Sequence, residues 1–164
     1  MLQYNIIEKS KSPYASPCLL VAKKDGKSYR VVNDYRRIND ITVKDAMPMP
    51  RVQDILDELN KAKYFSTLDL FAGYYQILMH PNSKKYTAFA TRDCLYMYNK
   101  MPMGLKNSGC TLQRTMNDLF DGINYKIVFC YVDDAIVFRL LHGNVTESLC
   151  YAVTVHMAFT NTML

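Results

Sequence analysis

A chain of 164 residues, 49% of them apolar, can bury one core of ordinary size with at most a small appended lobe. Its net charge of +5, from 20 Lys and Arg against 15 Asp and Glu, permits a nucleic-acid partner without demanding one. The five Cys, at 18, 94, 110, 130 and 150, have no Cys-x-x-Cys or Cys/His ligand spacing, and no apolar run approaches the ~20 residues of a membrane span, which argues against a thiolate metal module and a membrane-spanning protein.

With no charged-then-apolar leader at the N-terminus, the thiols are expected free, in a reducing compartment. No internal repeat and no long low-complexity tract interrupts the chain. The opening stretch to Pro17 is polar and punctuated by Pro, which predicts extended chain. Cys18 to Lys23 is a short apolar strand. Lys24-Asp25-Gly26-Lys27 is a turn, because Asp-Gly accepts the positive φ of a hairpin, and Tyr29 to Asn33 returns as the second strand. Met47-Pro48-Met49-Pro50 breaks structure, with Pro50 suited to a first helical turn. Val52, Ile55, Leu56 and Leu59 then recur at the spacing of an amphipathic helix.

Tyr64 to Leu70 reads as a buried strand carrying Asp69 near its end. Tyr86 to Ala90 and Leu95 to Tyr98 predict a second hairpin around Thr91-Arg92-Asp93. Leu112, Met116, Leu119 and Phe120 mark another helix, with Asn107 or Ser108 as its N-cap. Ile127 to Tyr131 and Ala135 to Phe138 are apolar arms around Asp133-Asp134. Helices and hairpins are mixed without a regular βαβ repeat, so the fold class is α+β. After Phe138 the composition changes. Residues 139–164 hold one Arg and one Glu, and their apolar positions follow neither period.

Tyr131-Val132-Asp133-Asp134 lies between two apolar strands. Adjacent carboxylates at a hairpin tip repel, and one pKa must rise unless a cation relieves them. Mg²⁺ accepts hard oxygen ligands and keeps sites for substrate phosphates, so the pair is either a metal site or a polar turn facing water. Asp69 shifts the balance, because a carboxylate at the end of a buried strand asks for a partner, a cap or a metal. Two strands ending in Asp can bring their carboxylates to one pair of cations, the arrangement that serves phosphoryl transfer. Met101-Pro102-Met103-Gly104-Leu105 runs into a helix, and Gly104 would let the backbone approach a ligand; an ordinary strand-to-helix loop is the alternative. Lys23, Lys24, Lys27 and Arg30 flank one turn, which suits a triphosphate or a template backbone as well as it suits a solvated hairpin.

These segments together resemble the reverse transcriptase of gypsy-type LTR retrotransposons from about Ile7 to Phe138. The resemblance rests on Ser12-Pro13-Tyr14-Ala15-Ser16-Pro17, Lys23-Lys24-Asp25-Gly26 and Asp34-Tyr35-Arg36-Arg37-Ile38-Asn39. It continues through Pro48-Met49-Pro50-Arg51, Lys63-Tyr64-Phe65-Ser66-Thr67-Leu68-Asp69-Leu70 and Gly73-Tyr74-Tyr75-Gln76-Ile77. Lys85-Tyr86-Thr87-Ala88-Phe89, Met101 to Leu105, Gln113-Arg114-Thr115-Met116-Asn117 and Tyr131 to Asp134 complete the series in the family's order.

The resemblance implies right-hand polymerase fingers and palm over residues 1–138, with an antiparallel palm sheet backed by helices. Residues 139–164 form a divergent tail, of the kind a frameshift or disorder would give. It implies an RNA-directed DNA polymerase, a nucleotidyltransferase, using two Mg²⁺ ions, or Mn²⁺ in their place. Asp69, Asp133 and Asp134 match the catalytic metal ligands. Tyr74 matches the aromatic residue that crowds the 2′ position of the incoming nucleotide. Met103 and Gly104 match the loop under the nucleotide, and Lys24 and Arg30 the finger positions that contact the triphosphate.

The implied partners are an RNA or DNA template with its primer and a dNTP, with no membrane. Thumb and ribonuclease H domains are expected in a parent Pol polyprotein. The implied compartments are a cytoplasmic element particle and the nucleus. A catalytically inactive remnant that binds RNA or DNA weakly is the rival reading. A Mg²⁺-dependent nuclease or cyclase on a similar palm would leave the finger and Gly-loop segments unexplained.

Departures from the family pattern are Asn33 at a usually apolar strand position, Ser108-Gly109-Cys110 for Ala-Pro-Ala, and Leu112 for Phe. Asn33 is thereby expected to place a polar amide toward the fingers' core.

Overall fold

The structure is a computed structural model that describes residues 1–23, 26–60 and 62–139. The candidate Lys24 and nearly all of the divergent tail lie outside the described residues. The chain forms two compact units: Met1–Lys44 with Tyr74–Ser108, and Asp45–Gly73 with the chain from Gly109 onward. Both mix helix and strand, so the α+β class holds.

The first unit carries a five-stranded sheet of order β1-β6-β5-β2-β3. Its strands are β1 (Ile7–Lys9), β2 (Ser16–Ala22), β3 (Tyr29–Asn33), β5 (Phe89–Ala90) and β6 (Leu95–Tyr98). The expected hairpin is β2 against β3, antiparallel, with Cys18 opposite Asn33 and Ala22 opposite Tyr29. Its turn is closed by Lys23 N–H donating to Ser28 and by Gly26, whose φ of +65° few side chains tolerate. The second expected hairpin is β5 with β6, closed where Thr91 N–H donates to the Cys94 carbonyl.

Only Phe89 and Ala90 of the predicted Tyr86–Ala90 arm are strand, because Lys85–Thr87 form a 3₁₀ turn. The Thr87 hydroxyl there bonds back to the Lys84 carbonyl and also accepts the Tyr98 N–H. The extended opening stretch contains β1, paired with β6. Ile7, Phe89 and Tyr98 form the core, with Cys18, Tyr75 and Tyr96 packed on it. Helix α1 (Arg36–Ile41) follows β3, and the short α3 (Pro81–Lys84) begins at His80, whose side chain accepts from the Asn82 N–H.

The second unit carries a three-stranded antiparallel sheet, order β4-β8-β7, from β4 (Tyr64–Asp69), β7 (Val128–Tyr131) and β8 (Asp134–Arg139). Helix α2 (Val52–Leu59) starts where the period predicts, but Arg51 is its N-cap, so Pro50 stands before the helix and not in its first turn. Ile55 packs with Phe129 and Phe138, whose rings stack 4.8 Å apart. Helix α4 (Ser108–Leu119) buries Leu112, Met116 and Gln113 completely. Ser108 is the first helical residue and not a cap, for its hydroxyl donates to the Pro102 carbonyl.

One expectation is corrected here. The strand from Tyr64 to Asp69 is not buried: Tyr64 and Phe65 are 45% and 53% exposed, and Asp69 faces solvent. Among the described residues β4 is an edge strand, with a neighbour on one flank only, and its apolar residues keep much of their surface in water.

Candidate active site

The β7–β8 hairpin turns on Val132 and Asp133. Val132 has φ +58°, a left-handed conformation that a β-branched residue adopts at a cost of about 1–3 kcal/mol. Buried Gln113 of α4 holds the turn in place. Its Oε1 accepts the Val132 N–H at 2.8 Å, while its Nε2 donates to the Cys130 carbonyl at 3.0 Å and to Asn117 Oδ1 at 3.0 Å. A fully buried amide with these three bonds satisfies the turn's backbone where water cannot.

Asp134 is the first residue of β8, and it stands directly opposite Asp69 in the β4–β8 register. The strands continue to clasp beyond that pair, because the Leu70 N–H donates to the Asp133 carbonyl at 3.0 Å. Gly73 closes the other side. A Cβ there would lie 3.2 Å from Leu70 Cβ and 3.6 Å from Asp133 Cβ, so the segment after β4 packs directly on the aspartate turn. Ala72, with φ +53°, is the second left-handed non-glycine beside the acids. Thus Asp69, Asp133 and Asp134, 64 or more positions apart across the first gap, arrive at one end of one sheet.

Desolvation raises the carboxyl of the exposed Asp134 above its ordinary value, and the charges of Asp133 and then Asp69 raise it further. Among the described residues no three His, Cys, Asp or Glu side chains already stand in metal-holding geometry. The donor set nonetheless fits a hard divalent cation. It consists of carboxylate oxygens at adjacent strand ends, where the charges of Asp133 and Asp69 bear on Asp134, a repulsion that a cation would relieve. Asp69 is exposed, contrary to the expected buried strand end, so burial does not oblige that carboxylate to find a partner.

The remaining candidates lie in the first unit. Tyr74 is half-buried in the 3₁₀ turn Gly73–Gln76. Met103 is 44% exposed, and Gly104 has φ +93°. A Cβ on Gly104 would make ordinary contacts, 3.6 Å to the Tyr35 ring, so glycine is required by the backbone and not by space. Arg30 is exposed on β3 opposite Val21.

Asn33 is 8% exposed, as the sequence departure implied, and its Nδ2 donates to the Tyr98 hydroxyl at 2.9 Å while its Oδ1 has no partner among the described residues. The Tyr35 hydroxyl beside it donates to the Thr87 carbonyl. Gln113 was missed by sequence reasoning. It sits three and seven residues before Met116 and Phe120, on the apolar stripe of α4, and a lone amide on such a stripe is the signal that could have found it.

Residues 21–155 match the family model described as "Reverse transcriptase (RNA-dependent DNA polymerase)". The chain is 44% identical over 142 residues to the Retrovirus-related Pol polyprotein from transposon 297 of Drosophila melanogaster, covering 84% of this chain and 13% of that protein. It is 38% identical over 143 residues to the corresponding polyprotein from transposon gypsy of the same species, covering 84% and 14%. The chain thus spans about an eighth of the length of these relatives.

Among solved structures, the foamy viral protease-reverse transcriptase in complex with double-stranded DNA matches with a TM-score of 0.84 at 27% identity, over 96% of this chain and 27% of that one. The same viral protein with an RNA/DNA hybrid matches at 0.81 and 26% identity, over 96% and 21%. Sequence and fold agree on fingers and palm, and the chain belongs to the reverse transcriptase family, among the Pol polyproteins of gypsy-type retrotransposons.

Proposed function

We propose that this chain carries the nucleotidyl-transfer site of an RNA-directed DNA polymerase, with Asp69, Asp133 and Asp134 as its metal-binding carboxylates. The observation that carries the proposal is the register of β4 and β8, which sets Asp69 opposite Asp134 with Asp133 on the adjoining turn. In the reaction the 3′-hydroxyl of a primer attacks the α-phosphorus of a dNTP, one P–O bond forms, and pyrophosphate leaves. Divalent ions bound there would lower the pKa of the attacking hydroxyl and neutralise charge on the leaving oxygens.

The chain's own residues have separate tasks. Asp69 and Asp133 would hold the ions, with Asp134 secondary, its carboxyl raised by desolvation and by the charges of the other two. Gln113 and Gly73 fix the turn that aims Asp133. Tyr74 limits room at the 2′ carbon, so a ribonucleotide is disfavoured. The backbone of Met103 and Gly104 supports the nucleotide, and Arg30, with Lys24, takes the triphosphate through charge-assisted bonds. The nucleic acids bound to the foamy viral enzyme support a primed RNA or DNA template as partner.

The test is extension of a DNA primer on an RNA template by the purified chain with Mg²⁺ and dNTPs. Wild type should extend, and Asp133→Asn should reduce the rate at least about a hundredfold, the scale on which removing a key electrostatic group acts. Equal extension by the two proteins would refute the metal role. Failure of wild type to extend would favour a catalytically inactive remnant.

A further inference from the structure

We infer that Asn39 is a positioning residue for the Gly104 loop, holding it in the shape that receives a dNTP; this rests on the nucleotide role proposed for that loop. Asn39 lies in the last turn of α1, and its side chain bridges the loop at two points. Its Nδ2 donates to the Gly104 carbonyl at 2.8 Å, and its Oδ1 accepts the Lys106 N–H at 2.8 Å. One planar amide thereby pairs with two backbone groups as a neighbouring strand would, across a sequence distance of 65 and 67 residues.

Lys106 completes the clasp from the other direction. Its Nζ donates to the carbonyls of Asn39 and Thr42 at 2.8 Å each, at the C-terminal end of α1, where carbonyls lack helical partners and a cation is favoured. Asn107 adds a bond from its Nδ2 to the Val43 carbonyl at 2.9 Å. On the opposite flank Gly104 rests near the Tyr35 ring, which the buried Asn33, Tyr98 and Thr87 cluster keeps in place. Gly104 at φ +93° has wide backbone freedom of its own, so its conformation must be imposed from outside, and the Asn39 bridge spans that residue.

The chemistry predicts an asymmetry between two substitutions. Asn39→Ala removes both bonds. Asn39→Asp keeps the acceptor for the Lys106 N–H but sets a carboxylate oxygen against the Gly104 carbonyl. Both variants should keep the wild-type thermal unfolding midpoint within a few degrees, since the bonds are solvent-accessible.

The experiment measures primer extension against dNTP concentration, equilibrium dialysis of dATP with primed template and Mg²⁺, and exchange of the Lys106 amide hydrogen. Asn39→Ala should raise the dNTP KM and Kd about tenfold, the worth of one or two net hydrogen bonds, with kcat within about twofold. Its Lys106 amide should exchange faster. Asn39→Asp should raise KM and Kd similarly while leaving that amide protected.

If wild type binds dATP and both variants bind it equally well, the inference falls and the polymerase reading stands. It falls also if kcat alone drops. If wild type neither extends nor binds dATP, the polymerase reading and the inference fall together.

Discussion

Asp134 faces Asp69 across a strand pair and follows Asp133 in sequence, and its carboxyl is raised by desolvation first and by these two charges second. The sign follows directly. Between the ordinary carboxyl pKa and the raised folded value, the folded chain holds a proton that the unfolded chain has released, so this group's contribution to stability falls as pH rises through that window. A divalent cation favours the charged form and should pull the titration back. Carboxyl-carbon NMR is expected to find the Asp134 midpoint above the normal Asp range, lowered part-way in Asp133→Asn and further by Mg²⁺. An ordinary midpoint unmoved by either change would show that the acids do not share a site. Asn33 illustrates what one residue can announce. A polar side chain at a strand position where the resembled family is usually apolar pointed to a buried amide, and the structure supplies the Tyr98 hydroxyl as its acceptor. That partner lies 65 positions away, and no local pattern names it.

The β7–β8 hairpin is the element on which the site depends. Its arms were legible because Ile127–Tyr131 and Ala135–Phe138 are short apolar runs around two aspartates. That Val132 takes the left-handed conformation was not legible, because a β-branched residue is among the last expected there. The compensation comes from α4. Gln113→Leu would leave the Val132 N–H and the Cys130 carbonyl without their side-chain partner, and should lower stability by about 2 kcal/mol in urea unfolding. An unchanged midpoint would remove Gln113 from the account. Helix α2 covers its four predicted apolar positions, Val52 to Leu59, because they fix the period over two turns, though Pro50 stands before it and not in its first turn. β4 was placed correctly along the chain but wrongly in depth: an alternating or apolar run shows that a strand forms, and only topology shows that it ends at a sheet edge. β1 is three residues long, too short for any period to register, and exists because β6 offers it a partner.

At the scale of the molecule, two units interleave in sequence, each made of two stretches of chain. Length and composition led to an expectation of one core with at most a small lobe, whereas the chain divides into two units of similar size, a partition set by long-range pairing that composition does not carry. The family was legible through ordered motifs, and the match over residues 21–155 bears it out. The proposed work divides along the same lines, with the three carboxylates in the second unit and Tyr74, Met103, Gly104 and Arg30 in the first. The claim beneath this division is that the strand register at Asp69 and Asp134 builds a cation site. Mn²⁺ binding followed by electron paramagnetic resonance, without substrate, tests it most directly. The account predicts saturable binding by wild type and at least about tenfold weaker binding by Asp69→Asn and by Asp133→Asn, each still folded by circular dichroism. Equal Mn²⁺ affinity in all three proteins would contradict it.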